Sequence, residues 1–150
     1  MVFVFVLSRE NVFSASGTSE VRLKTSEKSF NIFNYETPIT ISVPSIKLKS
    51  DTRIRVSGFP ANNRLEVTPL DDPARLLIDM FIAVPNFKTV ILPLNAPEVM
   101  ALRVGHHPEK VRLVLEIKGP LIPETKTIYD SNGFVFVVNS PERYADTMNE

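Results

Sequence analysis

The residue types able to do chemistry are sparse in this 150-residue chain and fall into three groups. His106 and His107 are adjacent, and the nearby carboxylate is Glu109. A zinc site draws its ligands onto one face from spaced positions, and with two histidines in the whole chain a catalytic metal would need several carboxylates gathered from elsewhere. Solvated turn histidines are the plainer reading. The second group, Asp71-Asp72, precedes a proline, and neighbouring turn residues point apart, so the pair fits turn chemistry better than general acid and base work. A nucleophile elbow, a phosphate-cradling glycine loop and an Asp/Asn-rich calcium loop are all missing. The expectation is a protein that is not an enzyme and uses no cofactor or metal.

The third group recurs. Arg75, Leu77 and Asp79 alternate along one stretch, and Arg112, Val114 and Glu116 along another; Arg53, Arg55 and Arg103 fall on what read as neighbouring strands. Arginine presents a planar donor fork that binds carboxylates and sugar hydroxyls directionally, and a carboxylate beside it accepts from hydroxyls or amides. A flat sheet face lined this way can hold a polar glycopeptide polymer. The competing reading is an ordinary solvated face whose cross-strand ion pairs contribute a few tenths of a kcal/mol.

Strands must position these residues. Val111, Leu113, Leu115 and Ile117 alternate with Arg112, Val114 and Glu116, the period-2 pattern that sends one set inward and the other outward. At about 1.5–3 kcal/mol per buried aliphatic side chain, the inward set pins the register. From about Val43 the pattern occurs twice. Ile46 to Lys49 and Thr52 to Gly58 form one strand pair, followed by Leu65 to Thr68, a turn at Asp71-Asp72-Pro73, and Arg75 to Met80. Val99 to Val104 and Val111 to Gly119 form another, followed by Thr125 to Tyr129, the turn Asp130-Ser131-Asn132-Gly133, and Phe134 to Val138. Asn132-Gly133 is a hairpin signal, because the favoured two-residue turn needs positive φ. The expected fold is all-β, a sandwich of two similar, roughly four-stranded sheets from an internal duplication. Residues 82–97 read as a crossover, with Thr89 to Leu92 as a short extra strand.

Composition bounds the rest. Seventeen basic and seventeen acidic residues balance, which removes the field expected of a nucleic-acid binder. The absence of cysteine excludes disulfides, thiolate metal sites and a thiol nucleophile and leaves the compartment open. Twelve prolines and many β-branched residues agree with short strands and turns. Met1 to Leu7 is an apolar run followed by small residues at Ser14 to Gly17, so residues 1–16 read as a partial signal peptide or an N-terminal extension. Residues 17–42 read as a polar linker, with Ile39 to Val43 a short strand confined to a sheet edge by Pro38 and Pro44. Residues 43–139 form the sandwich and residues 140–150 a polar tail. No run reaches the roughly 18–20 apolar residues of a membrane span.

Leu70-Asp71-Asp72-Pro73-Ala74-Arg75-Leu76-Leu77-Ile78-Asp79, then Leu102-Arg103-Val104-Gly105, then Val111-Arg112-Leu113-Val114-Leu115-Glu116-Ile117, resembles in order and spacing the AMIN domain. The resemblance spans about residues 43 to 139. It departs at Glu116, where the family usually has Asp, and in Phe134 to Val138, which lacks the usual Arg and Asp pair. It implies a β-sandwich in the periplasm or envelope of a diderm bacterium, where such domains sit ahead of N-acetylmuramoyl-L-alanine amidase domains or of pilus and secretion secretins. It also implies peptidoglycan as the partner, and carries binding roles onto Arg75, Asp79, Arg103, Arg112 and Glu116, with Arg53 and Arg55 as weaker neighbours.

Three functions follow. The first is a non-catalytic envelope module that binds peptidoglycan and targets or scaffolds envelope machinery. The alternative is a protein-interaction domain that docks a secretin or pilus complex through an exposed strand edge, without direct glycan binding. The third is a wall hydrolase, which requires bound zinc.

Overall fold

Period-2 alternation governs the architecture. In the computed structural model, which describes residues 12–14, 19–23, 27–32, 38–44 and 51–140, every regular element is a β-strand. They are β1 (Val12–Ser14), β2 (Ser19–Leu23), β3 (Glu27–Ile32), β4 (Ile39–Pro44), β5 (Thr52–Ser57) and β6 (Leu65–Leu70). Then come β7 (Arg75–Met80), β8 (Val90–Pro93), β9 (Val99–His106), β10 (Val111–Ile117), β11 (Thr125–Asp130) and β12 (Gly133–Val138). Two antiparallel sheets result, one of seven strands in the order β1-β2-β3-β4-β5-β12-β11 and one of five in the order β6-β7-β10-β9-β8. The fold is the all-β, two-sheet sandwich that the alternation predicts, each sheet widened beyond four strands.

The duplication has a topological form. Hairpin β4–β5 joins hairpin β11–β12 through β5·β12 in the first sheet, and β6–β7 joins β9–β10 through β7·β10 in the second. Laying β4 to β7 onto β9 to β12 therefore exchanges the two sheets and carries the β5·β12 contact onto β10·β7. Each half gives one hairpin to each sheet, so neither half has a complete sheet of its own.

Inward-facing residues from both sheets make one core. Ile54 and Val56 on β5, Ile78 on β7, Leu102 and Val104 on β9, Leu113 and Leu115 on β10, and Phe134 and Phe136 on β12 are all buried. The core reaches into β3 and β4, where Phe30, Ile32, Ile39 and Ile41 are fully buried. This corrects the polar-linker reading for residues 27–32 and 39–42. Phe30 packs at 5.5 Å against Phe87 of the crossover, and the Lys28 ammonium donates to the Pro93 carbonyl on β8, so β3 is bound to both sheets. β4 is also an interior strand, between β3 and β5, and not the expected edge. Pro38 precedes it and Pro44 is its last residue, so neither removes a donor from the middle of the ladder. The expected strand at Ile46 to Lys49, the apolar run Met1 to Leu7 and the tail from residue 141 lie outside the described residues.

Two glycines are required by backbone contact. Gly58 has φ of +84° and Gly133, which closes the β11–β12 turn, has φ of +156°. A Cβ at either would meet backbone, that of Pro38 or of Val56 respectively.

Candidate functional site

The pairing of β7 with β10 sets Arg112 directly opposite Asp79, Val114 opposite Leu77 and Glu116 opposite Arg75. β9 adds Gly105 beside Arg112, Arg103 beside Val114 and Ala101 beside Glu116. β6 and β8 complete the rows with Glu66 opposite Asp79, Thr68 opposite Leu77, Leu70 opposite Arg75, Ile91 opposite Arg103 and Pro93 opposite Ala101. On β7 and β10 these side chains leave the outer face of the five-stranded sheet because their neighbours in sequence fill the core, and the residues directly opposite them on β6 and β9 share that face.

Asp79 is the anchor. It is 5 % exposed and takes three charge-assisted bonds: Arg112 Nε to Oδ1 at 2.7 Å, Arg112 Nη2 to Oδ2 at 3.0 Å and Lys110 Nζ to Oδ2 at 3.1 Å. The Arg112 hydrogen bonds, helped by Lys110, hold its carboxyl below the ordinary Asp value against the opposing pull of burial, and Asp79 in turn raises the pKa of Arg112. Two cations on one carboxylate leave a net positive centre. A second pair, Arg103 Nε to Glu116 Oε1 at 2.6 Å, lies diagonally across β9 and β10 and is more exposed. Arg75 donates from Nε to the Pro73 carbonyl at 3.3 Å, within its own turn.

The face continues past the strand ends. The Arg64 guanidinium lies 3.8 Å from the centre of the Phe81 ring, and the Lys110 ammonium approaches the same ring at 5.4 Å. Arg64 also pairs with Glu66 at 3.3 Å. Phe81 follows β7, and the ladder extends to it through its N–H bond to the Arg64 carbonyl. The Asp79 end of the face is thus an aromatic ring set between two cations. A signal existed in the parity of Asp79 and Phe81, which places both side chains on one face.

Arg53 and Arg55 do not join this group. They leave the outer face of the other sheet, where Arg55 pairs with Asp130 at 3.2 Å and sits opposite Val135. Alternation alone groups them with Arg103, and it does not say which sheet a strand enters. His106 also departs from the solvated reading: its Nε2 lies 3.0 Å from the Val84 carbonyl, and its ring packs edge-on against Phe87 at 5.6 Å. Among the described residues, no group of three His, Asp or Glu side chains converges as a metal site. Asp71 and Asp72 lie in the β6–β7 turn.

The AMIN domain family matches residues 45–144. The chain belongs to the AMIN domain family. AMIN domains are non-catalytic modules of bacterial periplasmic and envelope proteins, often peptidoglycan-binding and associated with amidases and secretins. The matched span contains β5 to β12 and with them the whole Arg/Asp face, while β3 and β4 precede it and complete the core. Searches of the curated proteins and of the solved structures return no match. Among the described residues, no helix of this AMIN domain is long and apolar enough to cross a membrane.

Proposed function

We propose that this AMIN domain is a non-catalytic periplasmic module that binds peptidoglycan through the outer face of its five-stranded sheet, and so positions envelope machinery at the wall. One observation carries the reading. In a chain of zero formal charge, this face gathers Arg64, Arg75, Arg103, Lys110 and Arg112 against Glu66, Asp79 and Glu116, an excess of two positive charges. Peptidoglycan presents stem-peptide carboxylates and sugar hydroxyls, which match guanidinium forks and their carboxylate neighbours. Arg75 and Arg103 are the cations placed to reach ligand. Arg112 is committed to Asp79 and fixes the sheet face they stand on. Leu77, Val114, Ile91 and Pro93 lie among them as an apolar floor. Arg53 and Arg55 are outside this surface.

The test is co-sedimentation of the full chain with purified sacculi at low and high salt. Retention that weakens as salt rises supports recognition by exposed charges, which salt screens. No retention at either salt refutes it, and recovery of an envelope protein in a pull-down without sacculus binding would favour docking instead.

A further inference from the structure

Among the described residues, four strand edges end the two sheets, and three are blunted. β1 is three residues long, β6 carries Pro69 near its end, and β8 is four residues long and closes on Pro93. Short strands and prolines are the usual protection against edge-to-edge pairing. β11, Thr125–Asp130, is six residues with neither device, and among the described residues no strand pairs with its outer side. Both its surfaces are accessible near the tip, with Ile128 42 % and Tyr129 59 % exposed.

The hairpin geometry decides which backbone groups that edge presents. Asp130 and Gly133 pair across a two-residue turn, so they exchange hydrogen bonds, and Ile128 and Lys126 likewise aim their N–H and C=O groups at β12. The alternate residues of β12 face β5 in agreement, as the Gly58 N–H to Asn132 carbonyl bond shows. Thr125, Thr127 and Tyr129 therefore offer their N–H and C=O groups outward, unpaired within the sheet.

We propose that β11 pairs antiparallel with β11 of a second copy of this chain, about a two-fold axis at Ile128. Backbone parity admits registers only in steps of two residues, and side chains choose among them. With Ile128 against itself, Lys126 of each copy meets Asp130 of the other, and Thr127 meets Tyr129. The two charge pairs are opposite in sign and symmetric, as an isologous contact requires. A shift of two residues one way places Asp130 against Glu124, a like-charge pair; the other way it places Lys126 against Asn132. Asp130 already accepts from Arg55 and from the Asn132 N–H, and the second lone pairs of its oxygens remain for the incoming ammonium. Because β11 ends the seven-stranded sheet, the contact leaves the Arg/Asp face of the other sheet open on both copies.

The chain has no cysteine, so a single introduced thiol reads the register directly. Ile128 meets its twin in a non-hydrogen-bonded pair, with Cα atoms near 4.5 Å, within disulfide range. Full-length Ile128→Cys is expected to form a disulfide-linked dimer on mild oxidation at least about tenfold faster than Lys126→Cys or Asp130→Cys alone, whereas a mixture of those last two cross-links heterologously. Sedimentation of the unmodified chain should show a dimer at high concentration, and Thr127→Pro, which deletes an outward N–H and leaves the bonds to β12 intact, should be monomeric with an unchanged β-sheet circular dichroism spectrum. If Thr127→Pro fails to fold, Lys126→Asp replaces it, with association at least about tenfold weaker expected from two like-charge contacts. Equal cross-linking rates for the three cysteine variants, a chain monomeric at all concentrations, or a dimer indifferent to the folded edge variant would each overturn the proposal.

Discussion

Arg112 holds Asp79 from the directly opposite position on the neighbouring strand, Nε on Oδ1 at 2.7 Å and Nη2 on Oδ2 at 3.0 Å. The carboxylate is nearly buried and the guanidinium about one-third exposed, so the two partners do not have equal consequences when removed. Arg112→Ala leaves a buried charge with Lys110 as its remaining cation, and is expected to cost about 1.5–3 kcal/mol. Asp79→Asn keeps the shape and removes the buried charge, so its cost should be smaller. Urea denaturation of both variants checks the order; equal losses would mean that Asp79 is not the stressed partner.

The same pair makes stability depend on acid. The folded-state pKa of Asp79 lies below its ordinary value, with the Arg112 hydrogen bonds as the main cause. A depressed carboxylate contributes stability that is fully present above the unfolded-state value of about 3.9 and is lost as pH falls through the lower folded value. The contribution of this pair should therefore persist from neutral pH down to about pH 4 and be lost below it. In Asp79→Asn that part of the acid loss should be missing. Chemical denaturation at a series of pH values for the two proteins gives the comparison.

Alternation marks β7, β10 and β12 because each carries an unbroken inward apolar set, as in Val111, Leu113, Leu115 and Ile117, whereas the mostly exposed β6 and β11 are marked by the turns that bound them. β3 is not legible from composition although Phe30 and Ile32 alternate with Ser29 and Asn31: Lys28 occupies an inward position opposite Val43, and the polar alternate residues, buried in the fold, match the composition of a linker. Register was the other invisible quantity. Alternation places Asp79 and Arg112 on separate outward stripes and does not set them opposite each other, which follows from the β7·β10 contact, as the separation of Arg53 and Arg55 from Arg103 follows from the exchange of sheets between the two halves.

Phe30 tests whether β3 belongs to the folding unit. Its ring is fully buried and meets Phe87, which in turn meets His106. Phe30→Ala should destabilise the whole domain by about 3–5 kcal/mol, the range for deleting a buried aromatic. A linker residue would cost almost nothing, so the midpoint of thermal or chemical unfolding separates the two cases.

Gly133→Ala should be as damaging as a core truncation although no side chain is lost. The new Cβ would run into the Val56 carbonyl on β5 while the backbone holds a positive φ, so β12 must shift away from β5 or the turn must open. A loss of about 2 kcal/mol or more is expected. Gly119→Ala, where nothing lies within 4 Å of the added atom, is the control and should be close to neutral.

The binding face is best tested where its cations are not committed to the fold. Arg103 is about half exposed and pairs with Glu116, and Arg75 bonds to a carbonyl of its own turn, so Arg75→Ala with Arg103→Ala should lower stability by no more than about 1 kcal/mol. The two substitutions turn the excess of positive charge on the face to zero, since five cations become three against the three carboxylates. Retention on sacculi at low salt should fall at least about tenfold, and its remaining salt dependence should flatten. Arg53→Ala with Arg55→Ala removes the same charge from the other sheet and should leave retention nearly unchanged. If both double variants lose retention equally, the sacculus reads net charge and not this face; if neither does, the arginines of the five-stranded sheet are not the recognition groups.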